Sequence, residues 1–118
     1  MEKGLEDTKE TRDLKFEIEN FEGPVLVDVF ASWCGPCKML APVIEKIRKK
    51  YGESLEVLKI DIDKHQDIAE KYEIRSVPTL LFFCEKKLLR KEVGFMSESQ
   101  ICSIIDSELM VKNQWRKI

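Results

Sequence analysis

The sequence predicts an α/β domain with a central mixed β-sheet of four to five strands and helices on both faces. Two observations lead to this prediction. Apolar segments of strand length alternate with segments of helical periodicity, in the order β, α, β, α, β, β, α. The last two strands lie close enough along the chain to pair as a hairpin. With 118 residues, the chain has the length of one domain, which we expect to span residues 1–118.

The first three elements surround a pair of cysteines. A helix is predicted over residues 11–21, and Gly23 and Pro24 end it. Residues 25–30 form an apolar, β-branched strand that Asp28 interrupts. A second helix starts at the cysteines. The residues expected on the buried faces of the two helices are Leu14, Ile18 and Phe21 in the first, and Leu40, Val43, Ile44, Ile47 and Tyr51 in the second.

The remaining elements complete the sheet. A strand is predicted over residues 55–62, a short helix over residues 67–72, and a hairpin from residues 79–83 and 88–93. Residues 84–87 contain no glycine, so a tight two-residue turn with positive φ is disfavoured there. Ser97 and Gln100 are predicted to form a capping box for the last helix. Its apolar face carries Ile101, Ile104, Ile105 and Leu109.

Cys34 and Cys37 lie three positions apart, where the first strand turns into the second helix. The first N–H groups of a helix lack intrahelical partners and stabilise an anion by roughly 0.3–2 kcal/mol. This effect lowers the pKa of Cys34 toward ambient pH, where a thiol attacks disulfides best. We therefore predict that Cys34 is a nucleophile and that Cys37 is the resolving thiol.

A disulfide between these two cysteines suits a reversible reaction. Positions i and i+3 of a helix are about 5–6 Å apart at Cβ, so a small adjustment closes the bond. The ring is so small that it stabilises the fold by only about 2 kcal/mol in the chain-entropy model. Gly35 and Pro36 suit the tight turn and the first helical positions. The bond can therefore be broken in every cycle.

The string Trp-Cys-Gly-Pro-Cys-Lys at residues 33–38 resembles the active site of the thioredoxin family. The resemblance extends over about residues 14–111. It includes the kinking proline at Ala41-Pro42, the central strand at residues 59–63, the cis-proline segment at residues 72–79 and the glycine loop at residues 93–95. It implies the thioredoxin fold and a dithiol–disulfide oxidoreductase that reduces disulfides in other proteins.

The resemblance also implies roles for single residues. Asp28 corresponds to a buried aspartate that assists proton transfer to and from Cys37, and Lys59 to the lysine that pairs with it. The alternatives are an exposed carboxylate and a solvated lysine. The Val77–Pro78 bond is expected to be cis, which would free the backbone groups of Val77 to pair with an extended peptide; an ordinary trans proline at a strand start is the alternative.

An apolar rim is expected around Cys34. Its members are Trp33, Gly35, Pro36, Val77, Pro78, Gly94 and Phe95, of which the last four are predicted to bind substrate. Simple packing is the alternative for Trp33 and Phe95, and the family more often has a smaller residue than Phe95 at that position.

Partners and location follow from the resemblance and the composition. The resemblance implies disulfide-containing client proteins, no bound cofactor, and a thioredoxin reductase that returns electrons from NADPH or ferredoxin. The net charge of −2 gives no reason to expect nucleic acid or an anionic membrane as a partner. The charged residues 1–13 are unlike a signal peptide. We expect a cytoplasmic monomer.

Four cysteines also raise the possibility of a zinc site. Such sites usually need two close pairs of ligands, whereas Cys84 ends a predicted strand and Cys102 lies early in the last helix, off its buried stripe. We expect no metal, and no catalytic role for these two thiols; a regulatory role or a site of oxidative damage is the alternative. Two rival functions stay open: an oxidase or isomerase, which Gly35-Pro36 argues against, and a binding module in which the thiols are incidental.

The chain departs from the family in two further places. Residues 2–10 offer only Leu5 as an apolar residue, so the N-terminal strand of the family is expected to be frayed or missing here. Glu73 stands where the family has a glycine after the tyrosine. Neither departure touches the reacting groups.

Overall fold

The computed structural model describes residues 14–110. In chain order these residues form helix α1 (Leu14–Asn20), strand β1 (Pro24–Phe30), helix α2 (Gly35–Tyr51), a 3₁₀ turn (Gly52–Ser54), strand β2 (Glu56–Asp61), helix α3 (Gln66–Lys71), strands β3 (Thr79–Cys84) and β4 (Lys87–Val93), helix α4 (Glu98–Ile104) and a π-helical segment (Ile105–Met110). The strand ends differ from the predicted ones by at most one residue.

The four strands form one mixed sheet in the order β2-β1-β3-β4. Strand β1 is parallel to β2 and antiparallel to β3, and β3 is antiparallel to β4. The two central strands are the most apolar ones, and all six residues of β3 are buried. The predicted α/β class is confirmed. The expected frayed N-terminal strand and the predicted start of the first helix at residue 11 lie outside the described residues.

Helices cover both faces of the sheet because side chains alternate along each strand. On one face, Leu26 of β1 and Phe82 of β3 pack with α2 and α4. On the other face, Val25, Val27 and Val29 of β1 pack with residues of α1 and α3. The core therefore consists of two apolar layers, one on each side of the sheet.

Asp28 lies on the face of the sheet that α2 covers. It follows Leu26 by two positions in β1, and its register partner Lys59 follows Val57 by two positions in β2. Leu26 and Val57 both belong to the layer beneath α2 and α4. The alternation of side chains thus directs the carboxyl group of Asp28 toward the helix that begins at the cysteines.

Three local predictions are wrong. Phe21 is 42% exposed, because α1 ends at Asn20 and the ring folds over Gly23 instead of entering the core. Cys102 is buried with Ile101 against the sheet, so the buried face of α4 is wider than the predicted stripe. The hairpin has a tight two-residue turn although it lacks glycine, and both Glu85 and Lys86 adopt positive φ, at 54° and 72°.

The capping of the last helix is as predicted. The Ser97 side chain accepts a hydrogen bond from the Gln100 N–H, and the Gln100 side chain accepts one from the Ser97 N–H. The four predicted apolar residues of this segment are all buried: Ile101, Ile104, Ile105 and Leu109.

Candidate active site

The cysteine pair lies at the start of α2, just beyond the carboxyl end of β1. Cys34 is the residue that caps the helix, and the backbone N–H of Cys37 donates a hydrogen bond to its Sγ at 3.1 Å. The two residues form a disulfide, with their Cα atoms 5.3 Å apart. A helix terminus and a direct N–H donor both favour negative charge on the Cys34 sulfur.

Solvent exposure does not distinguish the two cysteines, since each is 5% exposed. Cys37 is therefore no more shielded from solvent than Cys34, although it lies one turn into the helix. The difference between them is electrostatic instead, because the Cys34 sulfur receives the hydrogen bond from the helix start. Pro36 occupies one of the first two helical positions, where its missing N–H leaves no hydrogen bond unmade.

Asp28 is buried behind this pair. Its side chain is 2% exposed, and within residues 14–110 its Oδ1 has no hydrogen-bond partner. Burial raises the pKa of Asp28 to about 6, and the nearby charge of Lys59 opposes that rise. A cleft of about 200 Å³ is lined by both Asp28 and Cys37. The carboxyl group can therefore change its protonation state near neutral pH beside the second cysteine.

Lys59 is placed opposite Asp28 in the register of β1 and β2. Among the described residues, the two side chains form no ion pair within 4 Å. The ammonium group of Lys59 lies 5.4 Å from the centre of the Phe30 ring. Lys59 thus acts on Asp28 through space, and the direct pairing implied by the resemblance is absent from this conformation.

The segment before β3 contains a cis peptide bond between Val77 and Pro78. The Thr79 hydroxyl donates to the Ser76 carbonyl at 2.7 Å, and the Gly94 N–H donates to the Pro78 carbonyl at 2.8 Å. Gly94 has a φ of 99°, a conformation that suits glycine. Val77 packs against the cluster that contains both cysteines. The expected cis bond and the expected approach of Val77 to the cysteines are both present.

Two aromatic side chains of the predicted rim are exposed. Trp33 is 68% exposed and Phe95 is 47% exposed, so neither is a core residue. The Trp33 Nε1–H donates to Asp63 Oδ2 at 2.9 Å. Sequence reasoning did not single out Asp63 as a site residue. A signal for it existed, because Asp63 follows β2, and the carboxyl ends of the parallel strands β1 and β2 meet at one edge of the sheet.

The other two cysteines lie away from this site. Cys84 and Cys102 are buried, form no disulfide, and belong to the cluster between the sheet and helices α2 and α4. Among residues 14–110, no group of three or more histidine, cysteine or acidic side chains is arranged to hold a metal ion. In the same part of the chain, no helix is both long and apolar enough to cross a membrane.

Comparisons with known proteins point to one family. The family model described as Thioredoxin matches residues 7–107. The chain is similar to a thioredoxin of Pseudomonas aeruginosa, with 41% identity over 82% of this chain and 92% of that protein. It is also similar to a thioredoxin of Bacillus subtilis, with 40% identity over 82% of this chain and 93% of that protein.

A solved structure has a similar fold. A mutant thioredoxin from Halobacterium salinarum superposes with a TM-score of 0.71 and 36% sequence identity, over 77% of this chain and 79% of that one. This solved structure supports the thioredoxin fold for this chain.

Proposed function

The chain belongs to the thioredoxin family and is a dithiol–disulfide oxidoreductase, and on that premise we propose how its residues divide the reaction. The Cys34 thiolate attacks one sulfur of a client disulfide. A bond forms between Cys34 and that sulfur, the client S–S bond breaks, and the second client sulfur leaves as a thiolate that takes up a proton. The hydrogen bond from the Cys37 N–H to the Cys34 sulfur supports this assignment most directly.

Cys37 then resolves the mixed disulfide. Asp28 accepts the proton of the Cys37 thiol, and the resulting thiolate attacks the Cys34 sulfur. The Cys34–Cys37 disulfide forms, and the client leaves with both of its sulfurs reduced. Two electrons have moved from the dithiol to the client. The raised pKa of Asp28, caused by its burial, suits a proton acceptor that works near neutral pH.

The client is proposed to dock on the rim beside the cysteines. Within residues 14–110, the backbone N–H and C=O of Val77 make no backbone hydrogen bond, so they are available to an extended peptide. Trp33, Pro78, Gly94 and Phe95 would surround this peptide with apolar surface. Recognition through the main chain explains how one site can accept many protein disulfides.

We further propose a monomer without a bound cofactor, re-reduced by a thioredoxin reductase in the cytoplasm. Cys84 and Cys102 are buried in the core, and a reducing compartment keeps cysteines in the thiol form. The redox work then rests on Cys34 and Cys37 alone.

Trapping experiments test the division of roles. The Cys37→Ser variant should accumulate mixed disulfides with client proteins, because Cys34 still attacks and nothing resolves the intermediate. The Cys34→Ser variant should accumulate none. Both variants are mixed with insulin, quenched with acid and analysed by mass spectrometry. Equal trapping by the two variants would contradict the assignment of roles. Trapping by Cys34→Ser alone would reverse it.

The double variant Cys34→Ser/Cys37→Ser addresses the rival hypothesis of a binding module. It should lose all disulfide reductase activity and should fail to replace the parent protein in cells that depend on it. Full biological function of the double variant would show that the thiols are incidental.

A further inference from the structure

Strand β4 and Gly94, the residue that follows it, contact the loop that carries the cis-proline at both ends of that loop. At one end, the Lys91 ammonium donates hydrogen bonds to the backbone carbonyls of Tyr72 and Glu73, at 3.0 and 3.1 Å. At the other end, the Gly94 N–H donates to the Pro78 carbonyl at 2.8 Å. The residues between these anchors, 74–77, include the residue proposed to pair with the client.

The first of these anchors, formed by the hydrogen bonds from Lys91 to Tyr72 and Glu73, lies where the chain leaves α3. Glu73 has a positive φ of 53°, and two hydrogen bonds close the helix around it, from the Glu73 N–H to the Glu70 carbonyl and from the Ile74 N–H to the Ala69 carbonyl. This ending usually has glycine at the positive-φ position. An L side chain is less stable in that conformation, so contacts elsewhere have to hold the backbone there.

Lys91 is well placed to supply such a contact. It pairs with Leu81 in the register of β3 and β4, and Leu81 faces the side of the sheet that α1 and α3 cover. Its positive charge meets carbonyl groups at the carboxyl end of α3, where a helix has its partial negative charge. Hydrogen bonds from a charged donor are stronger than neutral ones.

We propose that Lys91 is a positioning residue for client binding. By fixing the Tyr72 and Glu73 carbonyls, it holds residues 74–77 in the conformation that presents the Val77 backbone to a client disulfide. Lys91 touches neither cysteine and takes no part in the chemistry. This inference rests on the proposed function, because it assumes that clients dock on Val77.

The experiment compares Lys91→Met, which keeps most of the apolar stem and removes the charge, with the parent protein. Steady-state reduction of insulin, with dithiothreitol as the electron donor, should show a KM that is about threefold to tenfold higher, with kcat nearly unchanged. Reduction of the small disulfide dithiodipyridine should be unchanged, because it needs no peptide groove. Amide hydrogen exchange at residues 74–77 should be faster in the variant.

Two further variants serve as controls. Lys91→Arg should restore the parent KM, because arginine also donates to carbonyls. Lys87→Met, which removes an exposed charge from the same strand, should leave both KM and exchange unchanged. An unchanged insulin KM in Lys91→Met, unchanged exchange at residues 74–77, or an equal loss of rate with dithiodipyridine would overturn the proposal.

The proposed function and the role of Lys91 are tested by different quantities. The parent protein's own turnover of insulin tests the function, whereas the ratio of variant to parent tests Lys91. Faster exchange at residues 74–77 with an unchanged KM would show that Lys91 holds the loop but that clients dock elsewhere, which overturns the positioning role.

Discussion

The buried carboxyl group of Asp28 makes the stability of this protein depend on pH. Burial raises the pKa of Asp28 from 3.8 to about 6 in the folded chain. The folded state therefore holds the proton more tightly than the unfolded state, and Asp28 costs no stability at pH values well below 3.8. The cost appears as pH rises through the window from 3.8 to about 6 and is complete above it, at about 3 kcal/mol.

The Asp28→Asn variant removes this cost. We expect it to be more stable than the parent by up to about 3 kcal/mol at pH 8, and the difference should shrink toward zero at pH 4, as measured by denaturant unfolding. Release of clients from the mixed disulfide should be slower, since the proposed proton acceptor is gone. Glu70→Gln, at an exposed site on α3, should change stability by less than about 0.5 kcal/mol at both pH values. A variant less stable than the parent at pH 8 would mean that Asp28 is a well-paired ion.

Among the secondary-structure elements, the β3–β4 hairpin is unusual because it turns without glycine. Glu85 and Lys86 both adopt positive φ, which costs an L residue roughly 1–2 kcal/mol. The register of the flanking strands fixes the turn length, because Cys84 pairs with Lys87 and leaves only two residues to connect them. Strand pairing thus overrides the local preference for glycine in such a turn.

Replacing one turn residue tests this account. Lys86→Gly should raise the free energy of unfolding by about 0.5–1 kcal/mol, because glycine adopts positive φ without a steric penalty. The variant also loses the exposed ion pair of Lys86 with Glu22, at 3.8 Å, but this pair contributes little to the free energy of unfolding. Lys87→Gly, one residue further into the strand, should instead lower stability by about 0.5–1 kcal/mol. Thermal unfolding of the two variants in parallel should show stability changes of opposite sign. A Lys86→Gly variant less stable than the parent would contradict the cost assigned to positive φ at this residue.

Sequence periodicity predicts the helices and strands well and their side-chain partners poorly. Strand β1 and helix α2 were predictable because apolar spacing is a local property, and so were the capping residues Ser97 and Gln100. The hydrogen bond from Trp33 to Asp63 joins residues 30 positions apart, and the one from Lys91 to Tyr72 joins residues 19 positions apart. Such pairs depend on how strands align, which no local pattern contains. The cysteine pair was predictable because both members lie in one helical turn.

For the domain as a unit, stability depends on a sheet that is covered on both faces. Phe82 in β3 is fully buried and packs with α2 and α4, so Phe82→Ala should lower the free energy of unfolding by about 3–5 kcal/mol. That loss is a large part of the roughly 5–15 kcal/mol available to a typical domain. Leu88→Ala, at a site in β4 that is 39% exposed, should cost less than about 1 kcal/mol. Similar costs at the two sites, measured by urea unfolding, would contradict the layered arrangement.

The cleft beside Asp28 and the apolar rim around Cys34 have no residue in common. The volume of the cleft, about 200 Å³, has room for several water molecules. Besides Asp28 and Cys37, the cleft is lined by Phe30, Ala31, Ser32, Lys38, Ala41 and Lys59. A client docked on Trp33, Val77 and Phe95 would cover residues that do not line this cleft. We therefore expect this cleft to stay hydrated while a client is attached, so that the proton proposed to pass from Cys37 to Asp28 can leave toward bulk water by a route that the bound polypeptide does not close.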